Sequence, residues 1–556
     1  MSPCDFLLDK SPVARRLHLF LCSECRSANY TDTVIRRGLH RLNSEPPPEG
    51  GMAAVLSMVG VTPAIRSRAK GRRAAWLRHR LVPAGTFTAI CTIGAMSWLA
   101  YIDYDPDADV PIPARAMPTP NAYSLILDAS AAIPACDRMG PNGTNVSLVG
   151  HALKGAKGIV QDPSSNTSTS YKARMVGISG DKEGRINLQG KLTILGQYRN
   201  AINQVRKSFA YEFRMPPILS PQESVLQPPE YQQLGTVLKL DAQVKAEQGD
   251  VAGSVNSSLD AMELAVEISH GGLFGLKSYA LSLEASARDG VWPLVDRLDA
   301  RQVRAAARRM ERIVRKHDTL ADTLEDEKWV GLTRINELFR TRNWRLAYRT
   351  YMGTSSSSSL PKPLPDLYSY LELVHFNKRQ IRKDYLRYAD YVIEESRKSY
   401  VQARNLIHVD WMNAEDPVAA NFVPYYADAK FRETAGRDAQ DALLLASFAL
   451  RAYEIEHHRL PPKLTALVPE YLASVPKDPF VPGNDLGYRA ARTVLKDGKG
   501  VKRSYIDLYS IGPDCSDDEG IPIRNTTVEN QNGKNVWDSI VRPKSTGDIV
   551  AGFNTN

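Results

Sequence analysis

The spacing of hydrophobic residues changes along the chain and divides it into segments. Residues 81–102 form an uncharged apolar run that is long enough, as a helix, to cross a hydrocarbon core of about 30 Å. Apolar residues recur at helical spacing over residues 230–430, and from residue 438 onward one further helical segment precedes segments of strand character. We therefore predict a mainly α fold with a single transmembrane helix, a helical array and a small α+β C-terminal domain.

Charged residues flank the apolar run unequally. Seven basic residues lie between Arg66 and Arg80, and four aspartates lie between Asp103 and Asp109. Lys and Arg are enriched on the cytoplasmic side of membrane helices, so this asymmetry places the N-terminus in the cytoplasm and the bulk of the chain outside it. The alternative is a buried core helix, but core helices seldom lack charge for so long or have such unequal flanks.

We expect six segments along the chain. Between the apolar run and the helical array, Pro, Gly, Ser and Asn are frequent, which is typical of an extended spacer and of irregular structure, although AYSLILDASAAI predicts one helix there. The predicted segments are a head at 1–45, a basic linker at 46–80, the transmembrane helix at 81–102, the spacer and irregular region at 103–229, the helical array at 230–430 and the C-terminal domain at 438–556.

The helical array begins with two apolar-periodic segments joined by Gly249 and Asp250. So short a break predicts two antiparallel neighbouring helices. Together with Ala242 and Ala252, the pair loosely resembles a tetratricopeptide unit, although no further copies follow at the repeat period. Further along, Asp299 is placed to cap a helix of sequence ARQVRAAARRMERIVR, whose basic residues predict a solvent-exposed face.

Charge and motifs exclude several functions. The formal net charge of +9 suggests nucleic-acid binding, but much of the excess precedes the membrane run, where it suits anionic lipid, and aromatic residues are not interleaved with the basic ones. We expect no nucleic-acid partner. No G-x-S-x-G, P-loop, H-E-x-x-H or dinucleotide-binding sequence is present, so we predict that the protein is not an enzyme and has no small-molecule substrate.

A candidate zinc site lies near the N-terminus. His18, Cys22 and Cys25 have the spacing His-x3-Cys-x2-Cys, which can bring an imidazole and two thiolates to one tetrahedral zinc ion. A fourth ligand is required; Cys4 is the first candidate, and His40 is an alternative. This pattern resembles the zinc-binding anti-sigma factor module, which also precedes a single membrane span. The resemblance covers about the first 45 residues and implies a bacterial protein whose head binds a sigma factor or another cytoplasmic partner.

The C-terminal segment carries a second resemblance. A helix, a short LTALVPEYL helix, a Pro-x-Asp-Pro-Phe element and two strands follow one another, and the second strand leads into Ser-x-Gly-Pro-Asp. This order resembles the globular domain of the major pseudopilin of type II secretion. The matching positions are Tyr453, Leu460, Pro461, Leu464, Leu467, Tyr471, Leu472, Pro476, Asp478, Pro479, Tyr488, Ser510, Gly512, Pro513 and Asp514. Because the pseudopilin processing signal is missing, we expect a cap on a membrane protein and no polymerisation.

The resemblance to pseudopilins implies a calcium site in the last loop. Asp514, Asp517 and Asp518 provide three carboxylates within five residues, and hard cations prefer such oxygen ligands. A solvated acidic turn is the alternative. Cys515 stands where that family commonly has glycine, and the sequence does not decide whether Cys515 pairs with Cys136.

Together these observations predict a protein of the bacterial inner (plasma) membrane with a single span. Its expected function is that of a cell-envelope binding or scaffold protein that has an unidentified protein partner. The alternative is a transmembrane regulator whose zinc-binding head releases a cytoplasmic partner in response to the outer domain.

Overall fold

A computed structural model describes residues 116–134, 186–216, 228–341, 344–351, 376–403, 416–423, 427–496, 502–529, 535–538 and 540–554. The predicted zinc ligands and the predicted membrane span at 81–102 lie outside these ranges. Within them, no helix combines the length and the apolar character that crossing a bilayer requires.

The described residues are mainly helical. The α-helices are α1 Ala122–Ala131, α2 Leu188–Ser208, α3 Pro228–Glu247, α4 Val251–Ser269, α5 Phe274–Asp289, α6 Ala300–Arg315, α7 Leu320–Arg340, α8 Trp344–Tyr351, α9 Lys378–Arg397, α10 Tyr400–Ala403, α11 Pro417–Ala420, α12 Ala427–Phe431 and α13 Gln440–His457. Two 3-10 helices, Trp292–Arg297 and Leu464–Leu467, and a π-helical segment, Arg432–Ala439, complete the helical elements.

The predicted break between the first two helices of the array is confirmed. Gly249 ends the turn after α3 with a φ of 83°, a conformation that glycine adopts without a steric penalty. The Asp250 side chain then accepts a hydrogen bond from the Gly253 N–H at 2.8 Å and caps α4. Helices α3 and α4 pack against each other, and α5 packs on α4.

The region at 103–229 is less irregular than the sequence predicts. Helix α1 confirms the helix expected from AYSLILDASAAI, but the 21-residue helix α2 lies where we expected no regular structure. Its N-terminus is capped by Asn187, which accepts a hydrogen bond from the Gly190 N–H at 2.9 Å. This helix was not predicted because the sequence before it is rich in Gly and Ser. Its buried residues, such as Ile194 and Tyr198, do recur at helical spacing.

The chain forms two compact units. Of the described residues, 335–341, 344–351, 376–385 and 416–422 belong to the first unit, and the others belong to the second. Within the first unit, the ring of Trp344 packs edge-on against Phe339 at a centroid distance of 5.1 Å. The buried Arg345 donates a hydrogen bond to the backbone carbonyl of Phe376 at 3.1 Å.

The second unit has one continuous hydrophobic core that includes both the helical array and the C-terminal segment. Helix α13 packs along α6, and its apolar residues, among them Leu443 and Phe448, are fully buried. Helix α13 therefore lies inside the same core as α4 and α6, and the domain boundary predicted at residue 438 stays a prediction. The sequence of α13 is apolar on most of its circumference, as expected of a helix covered on several sides.

The described part of the C-terminal segment contains five strands: β1 Gly487–Lys496, β2 Lys502–Ser510, β3 Asn525–Glu529, β4 Asn535–Asp538 and β5 Ile549–Val550. Strands β1, β2 and β5 form an antiparallel sheet in that order, and β3 pairs with β4. The two strands predicted around Tyr488 and before Ser510 are confirmed as β1 and β2.

The π-helical segment joins α12 directly to α13. In a π-helix the backbone amides bond five residues back, so this segment accommodates more residues per turn than an α-helix. Its Gly436 carbonyl accepts a hydrogen bond from the Arg288 guanidinium on α5. The segment thus directs backbone and side-chain polar groups towards α5.

Candidate functional site

The three aspartates predicted to bind calcium lie in the loop after β2. Asp514 accepts hydrogen bonds from the N–H groups of Ser516 and Gly547, at 3.2 and 3.0 Å. Asp517 accepts from the Glu519 N–H at 2.9 Å and from the Tyr509 hydroxyl at 3.2 Å. In the described part of the chain, the carboxylates of Asp514, Asp517 and Asp518 do not converge as one set of ligands.

Asp548 also faces this loop, although no sequence pattern predicted it there. Its carboxylate accepts hydrogen bonds from the N–H groups of Gly520 and Asp518, at 2.6 and 3.3 Å. Burial, together with the nearby carboxylates of Asp517 and Asp518, raises the pKa of Asp548 to about 7. Asp548 lies about thirty positions from the others, beyond the reach of a local motif. Calcium binding by this loop stays a prediction.

Asp478 is one of the positions that match the pseudopilin pattern, and its contacts are those of a structural residue. Its buried carboxylate accepts hydrogen bonds from the Phe480 N–H, the Ser510 hydroxyl and the Ile511 N–H, each at 2.9 Å. Burial raises the pKa of Asp478, while these three donors act in the opposite direction. Asp478 therefore holds the Pro-x-Asp-Pro-Phe turn against the end of β2.

A second set of ionisable residues is buried where three elements of the second unit meet. Glu284 lies on α5, His317 lies between α6 and α7, and Asp441 lies in the first turn of α13. We call these three residues the buried triad. The Nε2 atom of His317 is 3.0 Å from Glu284 Oε1 and 3.5 Å from Asp441 Oδ2, and the potential ligand atoms of all three lie within 4.8 Å of one another.

Burial dominates the ionisation of the triad. It raises the pKa of Asp441 to about 7 and raises the pKa of Glu284 as well, although the Arg288 guanidinium favours the ionised form of both. Burial and the nearby Arg437 lower the pKa of His317 to about 4, so the imidazole is neutral at pH 7. The triad therefore combines a neutral imidazole with two carboxyl groups whose ionisation is opposed by burial and favoured by Arg288.

Ion pairs surround the triad. Arg288 contacts Asp441 Oδ1, and both side chains are almost completely buried. Lys277 pairs with Asp318. Arg437 donates hydrogen bonds to Asp438 at 2.8 Å and to Glu433 at 3.2 Å. Each of these three cations is therefore paired with at least one carboxylate.

No sequence motif predicted the triad. Its members come from separate segments of the sequence, with 33 residues from Glu284 to His317 and 124 from His317 to Asp441. No metal-binding or catalytic motif has such spacing. The only local signal was the presence of the ionisable residues Glu284 and Asp441 directly beside apolar residues, at positions where burial is expected.

A third feature lies on the surface of α6. Arg301, Arg308, Arg312 and Arg315 are exposed, and among the described residues none of them forms an ion pair. Their spacing of seven, four and three residues places them on one face of the helix, over a length of about 21 Å. We call these four residues the arginine face. The structure thus confirms the solvent-exposed basic face predicted for this helix.

The neighbouring arginines of α6 differ from the arginine face because they are paired. Arg304 binds Glu456 and Glu470, at 2.6 and 2.8 Å, and its guanidinium lies over the ring of Tyr471. Arg309 binds Asp260 and Glu263 on α4, at 2.6 and 3.0 Å. These pairs join α6 to α4 and to the C-terminal segment, so among the arginines of α6 those of the arginine face are the ones without an acidic partner in the described residues.

Comparison with known proteins adds no relative. No protein-family model matches the chain, and neither curated proteins nor solved structures show a significant similarity to it.

Proposed function

We propose that the chain is a membrane-anchored binding or scaffold protein of the bacterial cell envelope and that its arginine face binds an acidic surface of a protein partner. The observation that supports this proposal is the alignment of Arg301, Arg308, Arg312 and Arg315 without ion-pair partners among the described residues. The apolar run at 81–102 and its charged flanks support the membrane anchor.

Repulsion between the charges of the arginine face destabilises the isolated helix. Arg308 and Arg312 are four residues apart, where like charges destabilise a helix by roughly 0.2–0.5 kcal/mol. The helix dipole favours Arg312 and Arg315 in the last turn, but it disfavours Arg301 in the first turn. Helix stability therefore does not account for the whole face, whereas contact with an acidic partner would remove the repulsion.

The test is a comparison of co-purifying proteins in native membranes. The tagged full chain and its Arg308→Glu/Arg312→Glu variant are solubilised in detergent at low salt, and bound proteins are identified by mass spectrometry. The control is Arg199→Glu/Arg459→Glu, which changes the net charge equally at two exposed arginines that do not belong to α6. We expect one acidic protein that is retained by the wild type and the control and is reduced at least tenfold by the variant.

The salt dependence of partner binding provides a second test of the arginine face. Contacts between exposed charges are screened over about 8 Å at physiological ionic strength, so the partner should dissociate progressively as salt is raised. Equal recovery of every bound protein from the variant and the control would contradict a role of the arginine face. Recovery that does not change with salt would contradict an electrostatic contact.

The second candidate function is transmembrane regulation, and the His18-x3-Cys22-x2-Cys25 sequence favours it. Here the zinc-binding head binds a sigma factor or another cytoplasmic protein, and the outer helices respond to a signal. Replacing Cys22 by Ser in the same co-purification experiment separates the two functions. A regulator would lose a cytoplasmic partner in this variant, whereas a scaffold would keep its envelope partner.

A further inference from the structure

We propose that the buried triad of Glu284, His317 and Asp441 is a binding site for a divalent first-row transition metal. The site is independent of the arginine face and of the predicted N-terminal zinc head. Its residues come from α5, from the turn between α6 and α7, and from α13, so a bound ion would join the helical array to the C-terminal segment.

The distances within the triad suit a shared ion. Metal–nitrogen and metal–oxygen bonds of about 2.0–2.1 Å in tetrahedral geometry separate neighbouring ligand atoms by about 3.3 Å. The distances from His317 Nε2 to Glu284 Oε1 and to Asp441 Oδ2 are 3.0 and 3.5 Å, on either side of that value. Small side-chain shifts would therefore bring three ligand atoms around one centre.

One oxygen of Asp441 is aimed into the triad without a hydrogen bond. Asp441 is 1 % exposed, and its Oδ2 atom lies 3.5 Å from His317 Nε2 but forms no hydrogen bond of normal geometry in the described part of the chain. The other oxygen, Oδ1, is held by Arg288. A buried carboxylate oxygen without a partner is costly, and coordination of a cation would satisfy it. Arg288 would then orient the ligand from outside the coordination sphere.

The charges around the triad are compatible with a bound cation. Arg288 contacts Asp441 directly, and Lys277 and Arg437, which also favour the ionised form of Glu284, are paired with other carboxylates. Two carboxylates and an imidazole whose potential ligand atoms lie within 4.8 Å of one another supply an anionic set of ligands for a divalent cation.

The ligand types favour particular metals. Imidazole suits zinc, iron, copper and nickel, and carboxylates suit manganese and magnesium, so one imidazole with two carboxylates fits zinc, iron(II) or manganese(II). Mn²⁺ is the better first probe, because thiolate ligands of the predicted N-terminal head select softer metals. Bound Mn²⁺ would then report on oxygen and nitrogen sites alone.

The experiment uses the full chain in detergent and measures binding of Mn²⁺ by the loss of the EPR signal of the free ion. Glu284→Gln and Asp441→Asn each remove one anionic ligand with little change in volume. Glu327→Gln is the matched control, since Glu327 is also a buried carboxylate and accepts a hydrogen bond from the Phe274 N–H at 2.8 Å. A second control, Asp517→Asn/Asp518→Asn, removes any binding by the C-terminal acidic loop.

We expect the wild type and both controls to share one saturable Mn²⁺ equivalent that Glu284→Gln and Asp441→Asn bind at least tenfold more weakly. Circular dichroism establishes that each variant is folded. If a triad variant does not fold, electron spin echo spectroscopy of Mn²⁺ bound to the wild type decides: the ion should show coupling to the nitrogen of one imidazole ligand. Binding by Glu284→Gln equal to that of the control, or no nitrogen coupling of Mn²⁺ bound to the wild type, would overturn the proposal.

Discussion

At the scale of single residues, burial determines the chemistry of the ionisable groups in the second unit. Glu267 on α4 is an example outside the triad. Its side chain is 2 % exposed and contacts Lys316 at 2.6 Å, yet burial raises the pKa of Glu267 to about 7. The neighbouring carboxylates of Glu263 and Glu212 act in the same direction as burial, and Lys316 acts against it. The loss of hydration therefore outweighs one close cation.

The raised pKa predicts how Glu267 affects stability with pH. In the unfolded chain Glu267 ionises near pH 4.5, whereas in the folded protein it keeps its proton up to about pH 7. The folded state thus binds more protons between these values, and the contribution of Glu267 to the free energy of unfolding falls as pH rises from 4.5 to 7. Glu267→Gln cannot ionise and lacks this fall.

We therefore expect Glu267→Gln to gain stability relative to the wild type between pH 5 and pH 8, on the order of 2–3 kcal/mol. Urea unfolding followed by tryptophan fluorescence measures the difference at both pH values. The exposed Glu394 provides the control variant Glu394→Gln, which makes the same substitution at a position in contact with water. A constant difference for Glu267→Gln would show that Glu267 is ionised throughout.

At the scale of elements, α6 combines an N-cap with the arginine face. The Asp299 carboxylate accepts a hydrogen bond from the Gln302 N–H at 2.8 Å, and the Gln302 side chain accepts one from the Asp299 N–H at 3.1 Å. This capping box satisfies two N–H groups that would otherwise lack partners in the first turn. The negative charge of Asp299 also opposes the unfavourable position of Arg301.

Removing the cap should weaken α6 measurably. We expect Asp299→Ala to lower the free energy of unfolding by about 1 kcal/mol, and Asp299→Ser, which keeps a hydroxyl acceptor, to lose less than half of that. Urea unfolding of the two variants and the wild type tests this order. Equal losses in the two variants would mean that the charge of Asp299, and not its hydrogen bond, stabilises the helix.

Elements with strong local signals were predictable from the sequence. The Gly249-Asp250 turn, the Asp299 cap and the strands around Tyr488 depend on neighbouring residues, and the structure confirms all three. Helix α2 was missed because its flanking sequence is typical of loops. The buried triad could not be predicted, because Glu284 and Asp441 approach each other only after the array has closed around α13.

At the scale of the whole second unit, the helical array and the C-terminal segment share one core. Arg288 on α5 and Asp441 on α13 form a buried ion pair, and removing either partner would leave the other charge unpaired away from water. The Arg304 pairs with Glu456 and Glu470 add contacts at the surface. These contacts predict that the two parts unfold as one cooperative body.

Hydrogen exchange tests this cooperativity. We expect the most slowly exchanging amides of α4, α6 and α13 to have protection free energies within about 1 kcal/mol of one another, because all three helices open only when the core opens. Mass spectrometry of peptides from the full chain would measure these values. Complete exchange of α13 while α4 stays protected would instead identify the C-terminal segment as an independently folding domain.

The π-helical segment also bears on how this chain can be related to others. A π-helical turn arises when one residue is inserted into an α-helix, and it shifts the register of everything that follows. A homologue that continues α12 into α13 as a regular α-helix would need a one-residue deletion between Phe431 and Gln440. In such a homologue, Arg437 and Asp441 would be shifted relative to their partners. The length of this segment is therefore a marker of whether a homologue has kept the buried triad.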